Sequence, residues 1–117
     1  MALWAQAKAL LNYDRQTSSQ AWYQVEWTLG AAGITDSVLL TDSTLNAAQQ
    51  QRVTAWLDAA ARKLISFEKP GELGNNHHYW RALAAISVAV PAADDTLLQF
   101  AVATYKEAIG QLSLIHI

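Results

Sequence analysis

Apolar side chains recur along this chain at intervals of three and four residues, the spacing that lines one face of an α-helix. Leu3, Trp4, Ala7, Leu10 and Leu11 form the first such stripe and predict a helix over 3–11. The hydroxyls of Thr17, Ser18 and Ser19 offer N-cap oxygens to a second helix carrying Trp22, Val25, Leu29 and Ala32, ending near Gly30 or Gly33. A third start signal, Thr41-Asp42-Ser43-Thr44, precedes the stripe Val53, Trp56, Leu57, Ala60 and Leu64 and predicts the longest helix, closing near Ile65.

Residues 66–76 carry Pro70, Gly71 and Gly74 and break the periodicity, because proline removes a donor and glycine relaxes the backbone. A loop is predicted there. From His77 to Val90 the chain is apolar on nearly every side, which describes an interior helix, and Pro91 is expected to end it. Asp94 or Asp95 can cap a fifth helix on Leu97, Leu98, Ala101, Tyr105, Ala108 and Ile109, stopped by Gly110. No strand is predicted, so the fold class is all-α, built of antiparallel helical hairpins. The pattern fits a bundle, a solenoid or an α/α toroid alike. The absence of an internal repeat weighs against a repeat solenoid.

A hydrophobic content of 52% with 15% charged residues suits a globular chain that can bury a core. With no cysteine, packing alone must hold it together. The longest apolar stretch, Ala82 to Val90, is far short of the roughly 20 residues that cross a bilayer, and the N-terminus lacks a signal-peptide pattern. The net charge of −2 is unevenly spread, with residues 62–81 carrying a net +2 that suits an anionic ligand. That stretch is too thin in cations and interleaved aromatics for nucleic acid.

The chemistry gathers in Gly74-Asn75-Asn76-His77-His78-Tyr79-Trp80-Arg81, at the junction of loop and interior helix. An amide of Asn75 or Asn76 can cap the helix, and an imidazole at its mouth is a usable base. The structural alternatives are a turn with a cap for the asparagines and a hydrogen-bonded core histidine for His77. His78 has no histidine or carboxylate at the i+4 spacing of a helical zinc site, so no metal is expected. Trp4, Trp22, Trp27 and Trp56 lie on or beside apolar stripes and read as core residues, with Trp27 also a candidate for lining a groove. Arg62 and Lys63 close the long helix, where cations meet its negative end. Lys69, in the loop before the motif, is the more informative cation.

The six residues Asn-Asn-His-His-Tyr-Trp at 75–80 closely resemble the motif of the alginate lyases of polysaccharide lyase family five, which include mannuronate-specific bacterial enzymes. Glu26-Trp27-Thr28-Leu29-Gly30 resembles that family's first core helix, although a basic residue often precedes the tryptophan there. Residues 99–111 resemble the helix that follows the motif. The likeness covers roughly residues 18–111.

The resemblance implies part of an incomplete α/α toroid whose groove binds alginate or polymannuronate, and cofactor-free, metal-free cleavage by β-elimination. Removing the C5 proton of a uronate beside its carboxylate builds a dianion unless donors neutralise the charge. By motif position, Asn76 would bond the carboxylate and His77 would neutralise it or accept the proton. Asn75, Tyr79, Trp80, Lys69 and Trp27 would bind substrate. The family's further tyrosine and arginine lie on helices beyond the matched region, and neither Tyr105 nor Arg81 replaces them. The chain is therefore expected to be a monomeric fragment of little or no activity: a partial lyase domain over 1–111 and a truncated or non-native tail over 112–117. The family implies the periplasm or secretion. A noncatalytic α-helical module for carbohydrate or protein binding is the alternative.

Overall fold

The computed structural model describes residues 1–42, 45–69 and 75–115, and these hold five α-helices and no strand. They are α1 (Ala2–Gln6), α2 (Ser19–Leu39), α3 (Ala47–Ser66), α4 (Asn76–Ala92) and α5 (Asp95–Ile115). Helix α4 is the hub. It packs against α2, α3 and α5, and its α2 contact is the most extensive, while α1 leans on α3. The buried core runs through Trp22, Val25 and Leu29 of α2, Val53, Leu57, Ala60 and Leu64 of α3, Ala84, Ala85 and Val88 of α4, and Leu97 of α5. The central position of α4 follows from its composition, since alanines on several faces let three helices approach at once, but the helix is not interior on every side, because Leu83, Ile86 and Val90 are exposed. With a least dimension of 19 Å, the assembly is about two helix diameters thick.

Several helix boundaries differ from the sequence pattern. The first helix stops at Gln6 rather than Leu11, because Lys8 and Leu10 turn to φ of 51° and 63°. Side chains from α3 fix that turn: Trp56 Nε1 donates to Ala9 O at 2.6 Å, and Lys63 Nζ donates to Leu11 O at 2.6 Å. Lys63 thus serves the N-terminal segment as well as its own helix end. Trp4 is 53% exposed and is not a core residue, whereas Trp22 and Trp56 are buried.

Helix α2 starts as predicted, with Ser18 Oγ accepting from Ala21 N–H, but it runs through both glycines to Leu39. Gly33 is a packing residue, because a Cβ there would stand 2.8 Å from the backbone of Ser87 on α4. Helix α3 begins at Ala47. Asn46 and Gln49 form a reciprocal capping box there, a stronger signal than Thr41 and Asp42; Ser43 and Thr44 lie outside the described residues. At 20 residues α3 is shorter than α2 and α5, which have 21 each.

Pro91 sits inside the last turn of α4, and the helix ends at Ala93 with φ of 52°. Helix α5 starts at the predicted cap, Asp94, whose Oδ1 accepts from Thr96 and Leu97 N–H. It then passes Gly110 without interruption, and a Cβ at that position would meet nothing within 4 Å. Of its predicted stripe, Leu97 and Ala101 are buried, but Leu98, Tyr105 and Ile109 are exposed. Of the predicted loop, residues 70–74 lie outside the described residues.

Candidate active site at the α2–α4 junction

Two matching triads build the site. Tyr23, Glu26 and Trp27 share one face of α2 at i, i+3 and i+4, and His77, Trp80 and Arg81 share one face of α4 at the same spacing. The faces interlock. The His77 ring stacks on Tyr23 with centroids 3.7 Å apart and lies 6.4 Å from the Trp27 ring. Its Nδ1 is 3.0 Å from Oε2 of Glu26, whose other oxygen, Oε1, accepts from Arg81 Nη1 at 2.7 Å. Glu26 and Arg81 are both buried. The Arg81 guanidinium lies 4.0 Å over the Trp22 ring and also pairs through Nε with Glu68.

The solvent side of this junction is aromatic and amide-rich. Trp27 and Trp80 meet edge to face at 6.5 Å and are 47% and 44% exposed. Asn75 and Asn76 are exposed at the mouth of α4. Asn75 Oδ1 caps the helix by accepting from His78 N–H at 3.1 Å, and Asn76 is the first helical residue. The division follows from helix-end geometry, in which the N-cap side chain is spent on the backbone and the next residue is released. Arrayed this way, an amide, an imidazole edge and two indole faces can hydrogen-bond a carboxylate and stack on apolar sugar faces.

The other motif residues point elsewhere. His78 is clamped between two carboxylates, with Nδ1 3.1 Å from Glu68 Oε1 and Nε2 3.3 Å from Glu107 Oε2. Tyr79 donates its hydroxyl to Gln111 Oε1 on α5. Tyr79 also lines an apolar cavity of about 430 Å³ between α4 and α5, walled by Leu83, Ile86, Val102 and Tyr105. Neither Asn76 nor His77 lines that cavity. Lys69 is exposed. Among the described residues, no group of three or more histidine, cysteine or acidic side chains could hold a metal ion.

The alginate lyase family model matches residues 1–113. The chain belongs to the alginate lyase family. It is 29% identical to an alginate lyase of Pseudomonas fluorescens and 30% identical to one of Cobetia marina. Each match covers 96% of this chain but 31% of the relative, so the chain spans about a third of the length of these lyases. The crystal structure of alginate lyase A1-III from Sphingomonas species A1 superposes with a TM-score of 0.84 at 39% identity, over 93% of this chain and 31% of that enzyme. A tyrosine variant of A1-III, complexed with a tetrasaccharide, matches with a TM-score of 0.83, also at 39% identity, over 93% of this chain and 31% of that one. The five helices are thus part of an α/α toroid, the architecture expected from the motif, and not a closed bundle.

Within this alginate lyase segment, His77, Trp80 and Trp27 come together and Asn76 is exposed next to His77 at the start of α4, while Tyr79 turns toward α5. Sequence reasoning missed Glu26 as a member of the cluster. The one signal was its departure from a pattern in which a basic residue often stands at that position, and a carboxylate becomes intelligible there only once Arg81 and His77 are seen to meet it.

Proposed function

We propose that this chain contributes the sugar-acid-binding edge of a polysaccharide lyase that cleaves alginate or polymannuronate by β-elimination. Asn76 bonds the uronate carboxylate. His77 takes the C5 proton as the electrons of that C–H bond form the C4–C5 double bond, and the C4–O bond breaks with its electrons leaving on oxygen, which is then protonated. Trp27 and Trp80 hold the sugar faces, Asn75 keeps Asn76 and His77 at the helix mouth, and Lys69 adds positive charge nearby. Tyr79 shapes the far wall through α5. The observation that carries this reading is the meeting of the His77 ring and the Trp27–Trp80 pair at one helix junction, with exposed Asn76 next to His77 at the start of α4. Export to the periplasm or beyond and action as a monomer belong to the same proposal.

The test is to add oligomannuronate to the isotopically labelled chain and follow its amide and indole resonances, with ultraviolet absorbance reporting unsaturated ends. Shifts confined to Asn75, Asn76, His77, Trp27 and Trp80 are expected. If resonances elsewhere move instead, or none moves at millimolar sugar, the site assignment fails.

Binding without turnover is the second reading, favoured by the commitment of Arg81 to Glu26 and Glu68. That cation, on the same face of α4, is withheld from the sugar carboxylate. Shifts at the named residues with no new absorbance would select it.

A further inference from the structure

We infer that Glu26 is a positioning residue that holds His77 in the tautomer with the proton on Nδ1, leaving the lone pair of Nε2 as the basic atom presented to the sugar. The inference rests on His77 being the site histidine and adds what sets its chemistry. A neutral imidazole has one N–H and one lone pair, and the partner of one nitrogen decides the state of the other. The Nδ1 partner is the Glu26 carboxylate at 3.0 Å, which can only accept. The His77 side chain is 24% exposed and that of Glu26 fully buried, so the exposed edge of the ring is the one away from Nδ1.

Arg81 enforces the arrangement. A guanidinium has donors and no acceptor, so Nη1 at 2.7 Å claims Glu26 Oε1 and leaves Oε2 for His77. Tyr23 stacked at 3.7 Å restrains the plane of the ring. For a neutral ring the geometry also separates two roles: donating Nε2–H to a uronate carboxylate requires the opposite tautomer, whereas accepting the C5 proton requires this one.

The same logic makes Glu26→Gln informative. Its amide must still give an oxygen to Arg81, which turns the NH₂ group toward His77. Nδ1 then has to accept, and the proton moves to Nε2.

The experiment is long-range ¹H–¹⁵N correlation of the labelled chain at a pH where the ring is neutral, for wild type and Glu26→Gln. The wild type is expected to show a pyrrole-like Nδ1 and a pyridine-like Nε2, and the variant the reverse. A wild-type ring protonated on Nε2, or carrying both protons up to the highest pH at which the fold survives, overturns the inference, even if the variant fails to fold. An unchanged tautomer in a folded variant overturns it as well. Sugar binding is read separately: a chain with the Nδ1–H tautomer but no sugar-induced shifts sinks the proposed function and leaves the role of Glu26 standing.

Discussion

Nη1 of Arg81 and Oε1 of Glu26 stand 2.7 Å apart in a part of the α2–α4 interface that solvent does not reach. A pair of this kind stabilises little over an apolar substitute, but removing one member strands the other. Glu26→Ala leaves the guanidinium with Glu68 alone and is expected to cost about 3 kcal/mol or more in urea unfolding. Glu26→Gln keeps an acceptor for Arg81 and should cost less.

His77 is only partly buried and makes two close contacts, the stack on Tyr23 and the Nδ1 contact with the buried Glu26 carboxylate at 3.0 Å. His77→Ala is expected to lower stability by about 2–3 kcal/mol, the sum of one lost aromatic contact and one buried carboxylate oxygen left without its donor. In an alginate lyase chain with measurable turnover, the appearance of ultraviolet-absorbing ends should be abolished. Retained turnover in a folded variant removes His77 from the mechanism.

Trp80 is exposed and touches Trp27 edge to face, so its truncation leaves the core intact. Trp80→Ala should weaken oligomannuronate binding about two- to ten-fold by titration calorimetry, the equivalent of one lost stacking contact.

The pH response is expected to come from α3 and the start of α5. Burial opposes ionisation of Asp94, but hydrogen bonds with the Asp58 carboxyl and from Leu97 and Thr96 N–H, together with Arg62 at 2.6 Å, hold its carboxyl below the usual range. Asp94 therefore stabilises the fold above the ordinary carboxylate value of about 4, and that contribution is lost as pH falls through its folded value. Asp58 is pushed up by burial and by Asp94, so its contribution is present in acid and is lost as pH rises through its raised value. Thermal melts across pH should show Asp94→Ala down by about 1 kcal/mol at pH 7, with the gap narrowing in acid. Asp58→Asn should be more stable than wild type at pH 7.

The two glycines at 33 and 110 give opposite expectations. A methyl at Gly33 meets Ser87 backbone at 2.8 Å, and Gly33→Ala should cost about 1–3 kcal/mol. Gly110→Ala has open space within a helix and should gain up to about 1 kcal/mol. Equal shifts in melting temperature would contradict the packing argument.

Helix identity was legible in the sequence because a buried stripe of Leu, Val, Trp and Ala repeats at the helical period in α2 and α3, because apolar residues recur at that period in α5 although several are exposed, and because α4 is apolar on most faces. Boundaries were less so. A glycine in an amphipathic pattern reads as a stop, yet Gly33 is required by the approach of a helix some fifty residues away, and no local signal says so. The first helix failed for the same reason, since its last turn is unwound to meet Trp56 and Lys63 of α3. The motif singled out Asn76 and His77 as candidates, but Glu26 lies 51 residues from its imidazole partner, and such a pairing has no periodicity to betray it.

The contact of Gly33 with Ser87 lies two helical turns beyond Trp27 and Trp80, about 10 Å along the helix axes. It acts as a fulcrum, setting how far apart the two rods stand where the indoles emerge. In the proposed reading a single methyl there would shift the spacing of the two helices and with it the Trp27–Trp80 pair, so that Gly33→Ala is expected to change saccharide binding as well as stability.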